Sequence, residues 1–479
     1  MNNHTNDKEN APAPRSARIG LWISRLIAAI GRVCIWAVWT PPRAGLRAWA
    51  SMRPTQQLVT GFAAYALIGA LLLSLPISQA APSAFLDNLF NAFSAVSTTG
   101  LTTISVSDHY TWLGEVVILV LFQIGGIGFM TISSVFMLAR GRALSETREG
   151  VLRTGFALPH YFHLHHFLVQ VIVFTFACEA IGTAILWWRF AGAGVESPLW
   201  SAVFHSISAF ATAGFSLNNN SMESFAHDPV VNLTIGTLSY CGAIGFIVVQ
   251  DVWYSLKLRE RMLTFTSKVI LWMTGTIFAL GTVALFFLEP SVRTLPVSER
   301  LLTCAFQTMT ASSTAGFNTI PIGQMATPAL VVILIAMLVG ASPSGTGGGI
   351  KTTSVSAILG NLMSMLRGRN ATAWFGYEIP SGRVLMAFAA CSLYLLLLIA
   401  GVLILTITET AAFLPIVFEA ASAIGTVGLS MGITGDLSAT GKLIIIALMF
   451  AGRCGPLTIG LALLRQSNVQ PLRPDDLAV

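Results

Sequence analysis

The sequence predicts an all-α integral membrane protein: four tandem helix–pore loop–helix units in pseudo-fourfold arrangement around one ion pore. Three observations predict it, namely a charge-poor composition, eight apolar stretches long enough to cross a bilayer, and a motif that returns four times. Of 479 residues, 54% are apolar and 10% charged, against roughly 45–50% and about 25% in soluble domains. This excludes an ordinary soluble enzyme and leaves only the first residues polar enough for disorder. The net charge of +6 is assigned to cytoplasmic loops and not to nucleic acid. Cys34, Cys178, Cys241, Cys304, Cys391 and Cys454 include no C-x-x-C pair, so they read as small apolar residues and indicate neither a disulfide framework nor a zinc site.

Residues 1–54 form a basic arm without the apolar core of a removable signal peptide. Within it Arg18, Arg25 and Arg32 recur every seven residues, with Trp22, Trp36, Trp39 and Trp49 nearby, as expected of a helix lying on a lipid surface. Spans of about 20 residues are expected at Leu58–Leu75, Val116–Leu138, Phe167–Trp188, Val230–Val252, Val269–Leu288, Val384–Ile407 and Leu443–Leu464. An eighth, Leu330–Leu366, is broken by Ser342–Thr353. The units fall at 55–140, 141–256, 257–366 and 367–466, followed by a tail at 467–479. Alternate connections, counted with the arm and the tail, hold 21 of the 27 Lys and Arg residues. Positive charge is retained on the cytoplasmic side, which predicts a multi-pass protein with both termini in the cytoplasm.

The poorly charged connections carry the repeat. Its glycines are Gly100, Gly214, Gly316 and Gly428. Two positions before them stand Thr98, Thr212, Thr314 and Thr426, and one position before them Thr99, Ala213, Ala315 and Val427. Further back come Ala95, Ala209, Ala311 and Ala423, then Ser94, Ser208, Thr310 and Ser422. Phe90, Phe204, Phe306 and Phe418 are each followed by a polar residue, Asn91, His205, Gln307 or Glu419. A semi-apolar segment of about a dozen residues rises only about 18 Å as a helix, so each must enter the membrane and return. Irregular backbone at that depth is tolerated only against protein or water, and four such loops make a pore. Backbone carbonyls at Thr-x-Gly can replace an ion's hydration shell, with Gly permitting the dihedrals. One copy alone would read as small-residue packing between helices; four in register do not.

The second spans are related as well. Gly125, Gly242, Gly340 and Gly452 follow their loop glycines by 25, 28, 24 and 24 residues, and are expected to keep the space beneath the ring open. Lys351 and Arg453 are the two cations placed within apolar segments, where a charge is costly and usually functional. Arg453 has two readings, a barrier in a cation pathway or a partner of a buried acid such as Glu419. Glu179 is expected to pack against a pore helix. His160, His163, His165 and His166 lack the cysteine or acid support of a metal site, and no transition-metal site is expected. The Gly345–Gly349 run lacks phosphate-loop spacing, and no cofactor or catalytic residue is expected in this chain. Energy would then come from ion gradients or from the membrane potential, worth about 2.3 kcal/mol per charge per 100 mV.

The four repeats, the Ser342–Thr353 stretch Ser-Pro-Ser-Gly-Thr-Gly-Gly-Gly-Ile-Lys-Thr-Thr and the Gly452–Leu457 stretch Gly-Arg-Cys-Gly-Pro-Leu resemble the Trk/Ktr/HKT superfamily of potassium transporters over about Pro54–Leu464. The form is most like the Ktr-type membrane subunit, because no further helix pair precedes the first unit. The resemblance implies a potassium filter at Thr98, Thr99, Gly100, Thr212, Ala213, Gly214, Thr314, Ala315, Gly316, Thr426, Val427 and Gly428. It implies a gate at Ser342, Gly345, Gly347, Gly348, Gly349, Lys351 and Arg453. A serine at the first glycine goes with sodium in plant relatives, so Gly100 favours potassium. The resemblance further implies a homodimer in the bacterial inner membrane, surrounded by lipid, on a ring of cytosolic nucleotide-binding regulatory subunits of the KtrA/TrkA kind, with sodium as an activating or coupled ion. The competing readings are a sodium or unselective monovalent cation pathway, an alternating-access transporter with inverted halves, and a membrane enzyme acting on lipid-linked substrates. The last would need a cluster of acids or nucleophiles at one membrane face, and the acids here are dispersed.

Overall fold

The computed structural model describes residues 52–128, 131, 134, 149, 150, 152, 164–258 and 263–463. The expectations for the arm, for His160 and His163, and for the tail lie outside these residues.

Four units follow one another. The first has α1 (Pro54–Leu73), α2 (Phe85–Val96), a one-turn α3 (Val106–His109) and α4 (Trp112–Ile127). The second has α5 (Leu164–Gly192), α6 (Pro198–Phe210), α7 (Pro229–Ala243) and α8 (Phe246–Leu258). The third has α9 (Phe265–Leu288), α10 (Val297–Ser312), α11 (Thr327–Leu338) and α12 (Thr352–Leu366). A two-residue-per-strand hairpin, β1 (Ala373–Trp374) and β2 (Tyr377–Glu378), leads into the fourth. That unit has α13 (Ser381–Thr408), α14 (Phe413–Gly425), α15 (Ala439–Cys454) and α16 (Pro456–Leu463).

The first helix of each unit is long and apolar enough to span a membrane. These helices are apolar on their outer faces too: Ile181 is 63% exposed, Leu280 66% and Ile407 77%. Side chains of that kind left bare would each forfeit about 1.5–3 kcal/mol in water, so the surface is built for lipid. The second element of each unit (α2, α6, α10, α14) has 12 to 16 residues and rises about 18–24 Å, short of a hydrocarbon core about 30 Å thick. It therefore stops inside, and its last turn is buried.

The third element corrects one expectation. Leu443–Leu464 is not continuous: α15 stops at Cys454 and α16 restarts at Pro456. The second span of the second unit breaks in the same way at Gly245, where α7 and α8 diverge by 95°, and in the first unit α4 ends at Gly128. Gly128, Gly245 and Gly455 have φ of 87°, 93° and 82°, values at which a right-handed helix cannot continue and which only glycine adopts without strain. Hydropathy sums over side chains and does not register a single backbone reversal. In the third unit the break widens to residues 339–351.

Neighbouring units are tied at the ends of their helices. Lys442 pairs with Asp87 at 2.6 Å between the fourth and first units. Trp200 Nε1 donates to Glu115 between the second and first, and Asn318 Nδ2 donates to Glu223 at 2.7 Å between the third and second. A buried apolar cluster centred on α11, α14 and α15 joins the third and fourth. Glu289 and Glu409, just past the ends of α9 and α13, accept the backbone N–H of Ala326 and Ser438 at 3.0 and 2.9 Å, fixing one end of each first helix to the start of the third element of its unit.

Candidate functional site

Each of α2, α6, α10 and α14, the pore helices of the sequence reading, ends in the same turn. Thr98, Thr212, Thr314 and Thr426 have φ of 53°, 51°, 60° and 48°, the left-handed region that costs a residue with a Cβ about 1–2 kcal/mol. The N–H of each donates to the carbonyl three residues back (Ala95, Ala209, Ala311, Ala423) at 3.0–3.3 Å. The next N–H, of Thr99, Ala213, Ala315 or Val427, donates to the carbonyl of Ser94, Ser208, Thr310 or Ser422 at 2.8–2.9 Å. This paired 5→2 and 6→1 pattern is a Schellman cap with Thr where Gly is usual. It explains why Ala and Ser or Thr recur at fixed offsets before the glycine: they supply the carbonyls that close the turn, and small side chains let the chain fold back. Ser94 and Ser422 also accept the N–H of Gly100 and Gly428 at 3.1 and 3.0 Å. The threonines' positive φ is invisible in sequence, because threonine is not a residue from which a left-handed turn is read.

The four glycines meet in a closed ring. A Cβ built on Gly100 would strike the carbonyl oxygen of Ala213; on Gly214, that of Ala315; on Gly316, that of Val427; and on Gly428, that of Thr99. All four have φ between 69° and 95°. No side chain fits at any of them, and each unit lays its glycine against the residue before the next unit's glycine, always in the same sense. The C-terminal ends of four pore helices converge here, and a helix C-terminus carries the negative end of its macrodipole.

Above the ring, on the side where the chain leaves each glycine, a cavity of about 310 Å³ is lined by all four glycines and by Thr103, Asn218 and Asn318. Below it lies the break of the third unit. Thr346 Oγ1 meets Thr212 Oγ1 at 3.1 Å, and Thr98 Oγ1 donates to Thr346 O at 3.4 Å. Gly348 N donates to Thr314 Oγ1 at 3.2 Å, and a Cβ on Gly348 would collide with Thr426 Oγ1. The 345–349 stretch therefore touches the left-handed threonine of every unit. On the far side of the stretch is a second cavity of about 270 Å³, lined by Gly126–Gly128, Lys351, Tyr394 and Arg453 among others.

The stretch is seated on the corner of the second unit. The α7–α8 break frees carbonyls at the end of one helix and N–H groups at the start of the next. Ser342 N and Thr346 N donate to Ala243 O and Gly242 O at 3.1 and 3.0 Å, and Phe246 N donates to Ser344 O at 3.4 Å. Ile247 N donates to Ser344 Oγ at 3.1 Å, and Ser342 Oγ meets Thr352 Oγ1 at 3.0 Å. Gly345 packs on Ala243 O, and Gly349 on Gly340. Thr346 and Ser344 are the residues that sequence reasoning left out of this set, although Thr346 is the one hydroxyl embedded in the glycine run.

Arg453, near the end of α15, donates to the carbonyls of Thr346, Gly125 and Gly126 and to Thr98 Oγ1, the last at 3.1 Å. Lys351 Nζ donates to Gly347 O at 2.7 Å. Among the described residues neither forms an ion pair with a carboxylate. Glu419, considered as a partner for Arg453, is held by Ser430 and Thr434 instead. Glu179 receives Gln123 Nε2 at 2.8 and 3.0 Å, while its main-chain carbonyl accepts Ser206 Oγ of α6 at 2.8 Å. The expectation that the glycines of the second spans keep space open is corrected in part: of the four, Gly452 alone lines the second cavity, and it too is closely packed. Gly125, Gly242 and Gly452 are pressed against the carbonyls of Val96, Phe210 and Ile424. They permit close approach of the third element to the end of its own pore helix.

Comparison with known proteins follows from this geometry. The family described as TrkH, cation transport protein, matches residues 37–469. The chain belongs to the TrkH family. Among TrkH-related proteins, it is 38% identical to the Ktr system potassium uptake protein B of Bacillus subtilis over 431 residues, 88% of this chain and 96% of that one. It is 32% identical to the potassium/sodium uptake protein NtpJ of Enterococcus hirae, covering 87% and 94%. The potassium transporter TrkH of Vibrio parahaemolyticus has the same fold, with a TM-score of 0.69 over 93% of this chain and 97% of that one at 19% identity. The TrkH assignment makes this a multi-pass membrane protein of a cation transport family.

Proposed function

We propose that the chain carries potassium into a bacterial cell through the glycine ring, and that the 342–353 stretch with Arg453 and Lys351 controls passage beneath it. The observation that carries the reading is the closed contact of four equivalent Thr-x-Gly turns, with a cavity above and one irregular segment plugged below. Residues 98–100, 212–214, 314–316 and 426–428 supply backbone oxygens in place of water around a dehydrated cation. The converging helix C-termini favour positive charge. The names of the Bacillus and Enterococcus relatives support potassium as the cargo, and Gly100 in place of serine points the same way.

Beneath the ring, Arg453 and Lys351 meet carbonyl dipoles and a hydroxyl, and among the described residues no carboxylate neutralises them. Two uncompensated positive charges raise the energy of a cation passing them, so the closed state is held both by electrostatics and by the hydrogen bonds of the stretch. Opening requires Thr346 and Gly348 to leave the threonines and Arg453 to release Thr346. The excess of Lys and Arg in alternate connections supports cytoplasmic termini in the inner membrane. The Ktr system naming of relatives supports a membrane-subunit role in a multi-component system, and the family resemblance extends this to a homodimer on a nucleotide-binding regulatory subunit. Sodium, which the name of the Enterococcus relative pairs with potassium, is the second ion to measure as a coupled or activating ion.

The test is rubidium uptake in cells lacking their own potassium systems, with sodium as competitor. Saturable uptake that Gly100→Ser renders sodium-sensitive supports the filter. Uptake whose ion preference is indifferent to that substitution removes the ring from the mechanism.

A further inference from the structure

One face of each pore helix carries a second device. Nine residues before each ring glycine stand Asn91, His205, Gln307 and Glu419, all with 0% exposure. They lie three residues before Ser94, Ser208, Thr310 and Ser422, hence on the same helical face. Their side chains reach past the ring to the strand leaving it. Asn91 Oδ1 accepts Thr103 N at 3.3 Å, and Asn91 Nδ2 donates to Ile104 O at 3.4 Å. His205 Nε2 accepts Leu217 N at 3.3 Å and meets Ser216 Oγ at 2.9 Å, while Nδ1 is occupied by Ser201 O at 2.7 Å. Gln307 Oε1 accepts Thr319 N at 3.4 Å. Glu419 accepts Ser430 Oγ at 2.7 Å and also Thr434 Oγ1.

In three units the bonded group is the backbone N–H three residues after the glycine; in the fourth, a hydroxyl two residues after it does the same work. Four different residues, carrying amide, imidazole and carboxylate groups, thus converge on one task. Each glycine is pinned from below by its Schellman cap and from above by this side chain. Buried polar groups are costly unless satisfied; at all four positions a side-chain acceptor is bonded to the strand leaving the glycine, although Nε2 of Gln307 has no partner among the described residues, so the position is set by the acceptor it must supply.

We propose that Asn91, His205, Gln307 and Glu419 are positioning residues that hold the strand leaving each ring glycine, and thereby fix the ring's discrimination between potassium and sodium. This rests on the filter reading above and deepens it. The unequal bonds make the ring anisotropic: the fourth strand hangs on the two hydroxyls of Ser430 and Thr434, which a single substitution at Glu419 releases together.

The unit-three residue supplies the test, since Gln at this position is already accommodated once. His205→Gln and Glu419→Gln keep an acceptor at the same reach, whereas His205→Leu and Glu419→Leu remove it at similar volume. Rubidium uptake by the full-length chain in potassium-uptake-deficient cells is measured with graded sodium. The leucine variants, each of which releases two partners on the strand leaving the glycine, are expected to lose roughly three- to tenfold of their preference for rubidium over sodium, the range of a modest net hydrogen-bonding contribution. The glutamine variants are expected to stay within about twofold of wild type, as is Glu179→Gln, a buried acid away from the ring. Where the leucine variants yield no folded protein, His205→Ala and Glu419→Ala remove the acceptor with a smaller side chain, and lose preference likewise. Wild-type preference in the leucine variants, or in the alanine variants where those replace them, overturns the inference, as does equal loss with leucine and glutamine. Gly100→Ser in parallel separates the two claims: if it changes preference while the leucine variants do not, the filter stands and the positioning role falls; if neither changes anything, the filter reading itself fails.

Discussion

The second spans of the first, second and fourth units each turn at one glycine, whereas that of the third unit turns through the thirteen residues 339–351. The starting plan is the same, since all four follow equivalent caps and equivalent ring glycines. A single reversal at Gly128, Gly245 or Gly455 consumes no space and leaves helix ends whose polar groups need partners. The widened break supplies partners for one of those corners: Ser342, Ser344 and Thr346 take the carbonyls and N–H groups freed between α7 and α8. Repetition builds the closed ring, and the departure from repetition builds the stretch seated beneath it.

The comparison predicts a graded series. Deleting Gly345–Gly349 removes the bonds to the threonines and to Lys351 and Arg453 at once. Rubidium flux should rise by more than about tenfold, because the loss exceeds the 1.4 kcal/mol that a factor of ten requires. Arg453→Ala strips donors from Thr346, Gly125, Gly126 and Thr98. It should raise flux by about tenfold in the same assay, as charge-assisted bonds are worth about 1.5–3 kcal/mol each before the freed carbonyls find water.

Ser344→Ala loses the side-chain acceptor of Ile247 N and keeps the backbone seat, so flux should rise roughly threefold. Gly455→Ala probes a break that seats nothing: a Cβ there meets only Thr458 Oγ1 at 3.5 Å. Its φ of 82° should nonetheless cost about 1–3 kcal/mol. Detergent thermal stability should fall without a leak, and a leak as large as that of Ser344→Ala would erase the distinction between single-glycine and widened breaks. Thr426→Ala is expected to be the mildest. Its hydroxyl has no hydrogen-bond partner among the described residues, so gating should shift less than with Thr314→Ala, which loses the bond from Gly348.

Much of this was legible in the sequence, for reasons that differ by element. The first helices were legible because lipid demands unbroken apolar runs, and Leu164–Gly192 and Ser381–Thr408 enclose the runs at Phe167–Trp188 and Val384–Ile407. The ring glycines were legible because a backbone requirement repeated four times leaves the same residue four times. The turn at Gly455 was not, since one glycine between Cys454 and Pro456 barely alters the hydropathy of Leu443–Leu464. The positive φ of the threonines was hidden because their side chains report on the hydroxyl they offer and not on the dihedral they accept. The close packing of Gly125, Gly242 and Gly452 on pore-helix carbonyls was misread as open space: a missing side chain looks the same in sequence whether water or backbone takes its place. Ser344 was missed because its partner, the start of α8, is nearly a hundred residues away in the chain.

The measurement that bears most directly on the ring is rubidium uptake against graded sodium for wild type and Gly100→Ser, at matched expression in potassium-uptake-deficient cells. A serine Cβ at Gly100 would sit 2.5 Å from Ala213 O at a φ of 95°. The account predicts saturable uptake in wild type that resists sodium, and in the variant a preference for rubidium over sodium reduced about tenfold or more, as displacement of one ring oxygen by a fraction of an ångström would cause. Uptake by the variant with wild-type resistance to sodium would contradict it.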